Sequence, residues 1–253
     1  PQKESLERFA RIVDILSLST TPNLDEELVK IRELFPTLTS FERDFPSVCF
    51  ALATGIGKTR LMGAMIAYLH YEKGVNNFFV MAPNLTIYKK LKNDLGNQNN
   101  EKFVFRGLDK FVNAPRIIDG DNYEEFRQMS LFEGGITINV FNISKLNSES
   151  GRMRRLQEVL GQSYFSYLQS LPDLCIFMDE SHHYHADRGF DTINELHPVL
   201  GVELTATPQI QKGARKIDFN NVVYEYSLAH ALNDGLYVKV PAVFTRRDFR
   251  PEE

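Results

Sequence analysis

Apolar positions along this chain follow two rhythms. Short runs of consecutive apolar residues, each closed by small or polar ones, alternate with stretches in which apolar residues recur every three or four positions. The first rhythm marks strands buried on both faces and the second marks amphipathic helices, so their alternation predicts an α/β domain with a mainly parallel sheet flanked by helices. The runs are Val48–Leu52, Phe78–Ala82 and Leu174–Met178, together with Val202-Glu203-Leu204, broken by one acid, and the alternating Ile136–Phe141. Near the start, Leu6, Phe9, Ala10, Val13 and Leu16 share one helical stripe over residues 5–18, with Ser5 placed to cap it. A second helix is expected from Asp25, with acids in its first turn, to Phe35, where Pro36 stops it. Late in the chain, residues 222–227, 228–235 and 238–244 read as strand, short helix closed by Gly235, and strand. Pro241 puts that last strand at an edge or at its own start.

Residues 96–135 keep neither rhythm. They are polar, with Asn97, Asn99 and Asn100 close together and Gly134–Gly135 at the end, and they read as an insertion. A short strand is expected at Phe103–Phe105 and a helix near Tyr123–Met129. The domain division is then residues 1–40 as an N-terminal helical extension and residues 41–253 as the main α/β domain, with the insertion inside it.

Three predicted strands end in polar clusters. Val48–Leu52 leads into Ala53-Thr54-Gly55-Ile56-Gly57-Lys58-Thr59 and then an apolar-periodic helix, the context that a phosphate-binding loop requires. Gly55 and Gly57 allow the backbone to turn its N–H groups inward, Lys58 reaches the β- and γ-phosphates, and the Thr59 hydroxyl ligates Mg²⁺. The candidate ATP-binding residues are Thr54, Gly55, Ile56, Gly57, Lys58, Thr59 and Arg60. The pattern departs from the general one at Leu52, where a glycine is usual. Leu174–Met178 leads into Asp179-Glu180-Ser181-His182-His183, where Asp179 suits a Mg²⁺-holding acid and Glu180 an acid that orients or deprotonates water. Val202–Leu204 leads into Thr205-Ala206-Thr207-Pro208, whose hydroxyls are placed to sense a γ-phosphate.

Together these clusters resemble motifs I, II and III of superfamily 2 helicases and translocases, and among them the ATP-dependent motor subunit of type III restriction enzymes. The resemblance covers about residues 48 to 245 and implies the first of two RecA-like lobes, with the second lobe and its arginine finger outside this sequence. It implies catalytic roles for Lys58, Asp179 and Glu180, Mg²⁺ on Thr59 and Asp179, and nucleotide-to-cleft coupling through His182, Thr205 and Thr207. Pro83-Asn84 with Lys89 resembles motif Ia, and Asn142 with Lys145 resembles motif Ib, both contacts to a nucleic-acid backbone. For each lysine, including Lys90 and Lys92, a solvated helix face is the competing reading. The cluster Arg152, Arg154 and Arg155 either flanks the nucleic-acid path or serves solubility. Related motors carry an adenine-recognising glutamine upstream of the loop. No Gln lies between Thr37 and Ser47, so base recognition is unassigned. Pro172-Asp173 is an isolated pair and reads as a turn, not a nuclease motif.

Composition narrows the partners. A net charge of −4 provides no overall positive field, so nucleic acid would have to be held by a local basic groove. Cys49 and Cys175, both in predicted core strands, point away from a disulfide framework and toward a reducing cytosol. No apolar run approaches a membrane span. His182, His183 and His185 fit the helicase pattern better than zinc, since no acid–cysteine set with ligand spacing accompanies them. The expected function is an ATP-hydrolysing motor lobe acting with Mg²⁺ on DNA, alongside a second lobe and modification or specificity subunits. An RNA-acting helicase and a nucleotide-dependent switch or scaffold are the rivals.

Overall fold

A computed structural model of the chain describes residues 1–129, 135–146, 156–181, 191–212 and 215–235. Two helices come first, α1 (Gln2–Ile15) and α2 (Leu24–Leu34). Next are β1 (Ser47–Leu52), α3 (Lys58–Lys73), β2 (Asn77–Ala82), α4 (Leu85–Gly96), β3 (Arg116–Ile118), α5 (Tyr123–Met129) and β4 (Thr137–Asn142). The helices α6 (Leu156–Leu160) and α7 (Gln162–Gln169) lead to β5 (Cys175–Asp179), and α8 (Asp191–Asn194) leads to β6 (Leu200–Thr205). A hairpin of β7 (Gln209–Lys212) and β8 (Arg215–Asp218) precedes β9 (Val222–Tyr226) and α9 (Leu228–Asp234).

Seven strands pair in the order β3-β4-β2-β5-β6-β1-β9, and every pairing in that sheet is parallel. Parallel neighbours need crossovers, and the crossover helices cover both faces. Every position of β1, β4, β5 and β6 is therefore buried, which is why these strands are so apolar in sequence. On one face Phe50, Val80, Phe177, Val202 and Leu204 pack with residues of α1, α3 and α4. On the other, Phe79, Met81, Ile176 and Met178 meet Tyr123, Leu156, Phe165 and Leu168. Fully burying each such side chain contributes about 1.5–3 kcal/mol. Because all seven strands point the same way, their C-terminal ends form one rim, the place where open α/β sheets present ligand sites. This is the RecA-like α/β architecture.

The first helix differs from expectation. It starts at Gln2, and Ser5 lies inside it as a buried residue whose Oγ has no partner, instead of capping it. Packing decides this start: Phe9 sits edge-on to Phe50 and to Tyr68 of α3, at ring separations of 6.3 and 6.2 Å, and Asp14 pairs with Lys73 at 2.9 Å. Residues 1–40, set apart in sequence as an extension, thus share the main core. The second helix is capped by Asn23, whose side chain accepts from Glu26 N.

The insertion also differs. Phe103–Phe105 is a series of turns and no strand, because its rings fold inward together. Phe105 stacks on Phe111 at 4.2 Å, and Phe111 on Tyr71 of α3 at 6.2 Å. The strand that this region adds to the sheet is β3, at an edge, and the helix at Tyr123–Met129 is where the pattern placed it. Pro172-Asp173 makes a structural tie: the Asp173 carboxylate accepts from Asn76 N at 2.7 Å and Asn77 Nδ2 at 2.5 Å, at the start of β2. Residues 238–244 and Arg152, Arg154 and Arg155 lie outside the described residues. No helix among the described residues is long and apolar enough to cross a membrane.

Candidate functional site

Sheet order, not chain order, determines which clusters meet. β1, β6 and β5 are neighbours, so the ends carrying Lys58, Thr205–Thr207 and Asp179–Glu180 lie side by side. Gly55 and Gly57 both have φ +89°, a left-handed backbone that glycine adopts without steric cost. Gly57 is also the N-cap of α3, so the positive end of that helix faces the loop. Ile56 between them is buried at 2 % exposure, which anchors the loop in the core and leaves its backbone, not its side chain, for a ligand. Thr54 and Arg60 are exposed on either side.

Lys58 lies back along this loop. Its ammonium is 2.8 Å from Glu180 Oε1 and donates to the Leu52 carbonyl at 3.4 Å. Leu52, where the general pattern has glycine, is the buried last residue of β1 and contributes only its backbone oxygen. Glu180 follows β5 directly with φ +51°, a conformation that costs a non-glycine residue of order 1–3 kcal/mol. The Ala206 N–H donates to its other oxygen, Oε2, at 3.4 Å. One carboxylate thus receives both a cation from the phosphate loop and an N–H from the end of β6. Thr205 is buried, and its hydroxyl closes a turn, accepting from Thr207 N at 3.1 Å and donating to Thr207 O at 3.2 Å, whereas Thr207 is exposed.

Asp179, the last residue of β5, is 8 % exposed. Burial pushes its carboxyl up to about 6, Glu180 pushes in the same direction, and Lys58 and Lys90 partly offset them. The Asp179 carboxylate and the Thr59 hydroxyl are both hard-oxygen donors, the ligand type that Mg²⁺ takes. Cys49 and Cys175 are buried free thiols, and burial raises both well above the usual thiol range.

The rim continues past β5 to β2 and β4. Pro83 and Asn84 follow β2, and Asn142 ends β4. Asn84 caps α4, its Oδ1 accepting from Ile87 N at 3.0 Å. Asn142 is 4 % exposed, and its Oδ1 accepts from Ser144 N at 3.1 Å and Ser144 Oγ at 2.9 Å. Lys89 and Lys145 are exposed. Lys92 instead bonds the buried Asp119, which also takes the Tyr88 hydroxyl at 2.8 Å, and Lys90 donates to Thr59 at 2.9 Å. His182, His183 and His185 lie outside the described residues.

Residues 2–210 match the family described as type III restriction enzyme, res subunit. The chain belongs to that family. It is 30% identical over 160 residues to the probable type III restriction-modification enzyme HindVIP Res subunit of Haemophilus influenzae, a stretch covering 58% of this chain and 28% of that relative. The chain therefore spans between a quarter and a third of the curated relative's length. Among solved structures, it is similar to a nuclease-deletion mutant of the Type ISP restriction-modification enzyme LlaGI in complex with a DNA substrate mimic. That likeness has a TM-score of 0.48 and 14% identity, over 75% of this chain and 18% of the other. The Sulfolobus solfataricus SWI2/SNF2 ATPase core in complex with dsDNA gives 0.41 and 18%, over 77% and 34%.

Two residues of this Res-family chain escape sequence reasoning. The family match begins at Gln2, inside the supposed extension. Gln2 Nε2 donates to the Ile56 carbonyl at 2.6 Å and fills the space that a Cβ on Gly57 would need, so the loop glycine and the glutamine are mutually fitted. Gln2 lies far upstream of residues 37–47, where a glutamine was expected. It is 55 residues from Gly57 and reaches it only because the stripe of α1 docks on α3. Lys90 reads in sequence as one of the strand-contact group, and periodicity contains no sign that it reaches across to Thr59.

Proposed function

We propose that this chain is the first RecA-like lobe of an ATP-driven DNA translocase belonging to a restriction-type enzyme. The observation that carries the reading is the convergence on Glu180 of Lys58 from the phosphate loop and the Ala206 N–H from β6. The loop N–H groups and the N-terminus of α3 bind the phosphates of ATP, and Lys58 leaves Glu180 for the β- and γ-phosphates. Thr59 and Asp179 would hold Mg²⁺, which when bound would withdraw charge from the phosphates. Glu180, released from Lys58, orients and deprotonates the attacking water. Its bond from Ala206 links the state of that carboxylate to the end of β6, where Thr205 and Thr207 couple the site to the interlobe cleft together with His182. Gln2, held beside the loop by the bond from its Nε2 to the Ile56 carbonyl, takes the adenine-recognising role left unassigned in sequence, its carboxamide oxygen accepting from the base.

A second lobe supplies the cation opposite Glu180, and hydrolysis closes and opens the cleft between the lobes. Pro83, Asn84, Lys89, Asn142 and Lys145 contact the tracked strand through its phosphates, and modification or specificity subunits select the target. Membership in a restriction-enzyme family favours DNA over RNA. The test is phosphate release by the full-length protein with duplex DNA, single-stranded DNA or RNA added. Stimulation by DNA is expected. Stimulation by RNA alone would make the protein an RNA helicase, and none by any of the three would make it a nucleotide-dependent switch.

A further inference from the structure

Lys90 crosses from α4 to α3. Its ammonium donates to Thr59 Oγ1 at 2.9 Å and stands 3.6 Å from Asp94, one turn along its own helix. Thr59 Oγ1 is the oxygen through which the loop would hold Mg²⁺. An ammonium and a divalent cation within hydrogen-bond reach of one oxygen repel each other, so the two compete for it. Asp94 is a fixed acceptor: it is 5 % exposed and held by Asn100 Nδ2 at 2.7 Å. α4 begins at its cap Asn84, directly after Pro83, so whatever ties α4 to the phosphate loop also ties the strand-contact half of the rim to the nucleotide half.

Resting on the nucleotide-site reading above, we propose that Lys90 is a metal-displaced tether that clamps α4 to the phosphate loop through Thr59 and passes to Asp94 when Mg²⁺ and nucleotide bind. Metal binding is then coupled to release of α4 and of the Pro83–Asn84 corner. The coupling is reciprocal: a strand that draws α4 away from the loop favours metal entry.

The test titrates Mg²⁺ against binding of a fluorescent ATP analogue to the full-length protein. Lys90→Met should lower the Mg²⁺ concentration at half-saturation by roughly threefold or more, the effect of removing one partly exposed charged hydrogen bond. Asp94→Asn, which removes the acceptor for the released lysine, should raise it. Opposite signs from two charge-removing changes on one helix are not what a merely structural role produces, and melting curves check that both variants fold. An unchanged Mg²⁺ requirement in Lys90→Met would overturn the proposal. So would an equal loss of analogue affinity with Mg²⁺ and with EDTA, which would make Lys90 a phosphate ligand. Lys58→Ala, measured in parallel, separates the two levels. Full analogue affinity in that variant would sink the nucleotide-site reading itself, whereas loss there with no effect at Lys90 would sink only the tether.

Discussion

On the β1–β6–β5 half of the rim, Glu180 holds a left-handed backbone and Asp179 a carboxyl pushed up to about 6. On the β2–β4 half, Asn84 and Asn142 each close a turn with a side-chain oxygen, and both backbones are ordinary. The first half stores conformational and electrostatic strain where polar side chains converge. The second half satisfies its polar groups locally and leaves only exposed lysines. Strain of this kind persists where the surrounding fold over-determines it, and it collects where chemistry needs a group poised away from its resting preference. A backbone-contacting surface needs no such poise, because phosphates are held by accessible charge and by position.

The contrast can be broken at its strongest point first. Glu180→Gln retains a side chain of the same shape that still accepts hydrogen bonds, so the full-length variant should keep Mg·ATP affinity while nucleic-acid-stimulated phosphate release falls by about 10²–10⁴-fold. Asn142→Ala should leave that rate within a few-fold of wild type. A mild effect at Glu180 would place the base elsewhere.

Asp179 separates the halves through stability. Its folded carboxyl titrates near 6 against an ordinary 3.8, so ionising it costs the folded protein. That cost is absent below the ordinary value, where the group is protonated in both states, and complete above about 6. In EDTA at pH 8, Asp179→Asn should therefore stabilise the protein by about 2–3 kcal/mol, and the gain should vanish as pH falls from 6 to 4. Denaturant melts across that range check the sign.

Lys58→Ala should weaken Mg·ATP binding by about 1.5–3 kcal/mol without loss of fold, since the side chain pairs with charge and fills no apolar core. Calorimetry on the two proteins reads it directly.

Smaller effects belong to the other half. Asn84→Ala removes the α4 cap and should cost about 1 kcal/mol of stability, whereas Asn84→Ser should restore most of that loss. If strand affinity follows the cap, Asn84 acts through α4. If affinity falls in both variants, the carboxamide touches the strand. Replacing Lys89 or Lys145 by Ala should flatten the salt dependence of single-strand binding by about 0.7 for each lysine that neutralises a phosphate. An unaltered slope would remove those lysines from the strand path.

The sequence alone determined most of the buried parallel strands, because a strand covered on both faces is predominantly apolar, and it determined which residues end them. Lys58, Thr59, Asp179, Glu180 and the Thr205–Thr207 pair were legible from strand-end position and residue chemistry. Sheet order was not legible: that β6 lies between β1 and β5, and so brings Ala206 onto Glu180, depends on crossovers that no local pattern encodes. Tertiary packing alone decided that α1 starts at Gln2 and delivers it to Gly57, that Phe103 and Phe105 turn inward under α3 instead of forming a strand, and that Lys90 leaves the strand-contact group for Thr59. The deciding interactions include contacts between residues far apart in the chain, Gln2 with Ile56, Tyr71 with Phe111 and Lys90 with Thr59. Periodicity records which face of an element is buried, but not what lies opposite it.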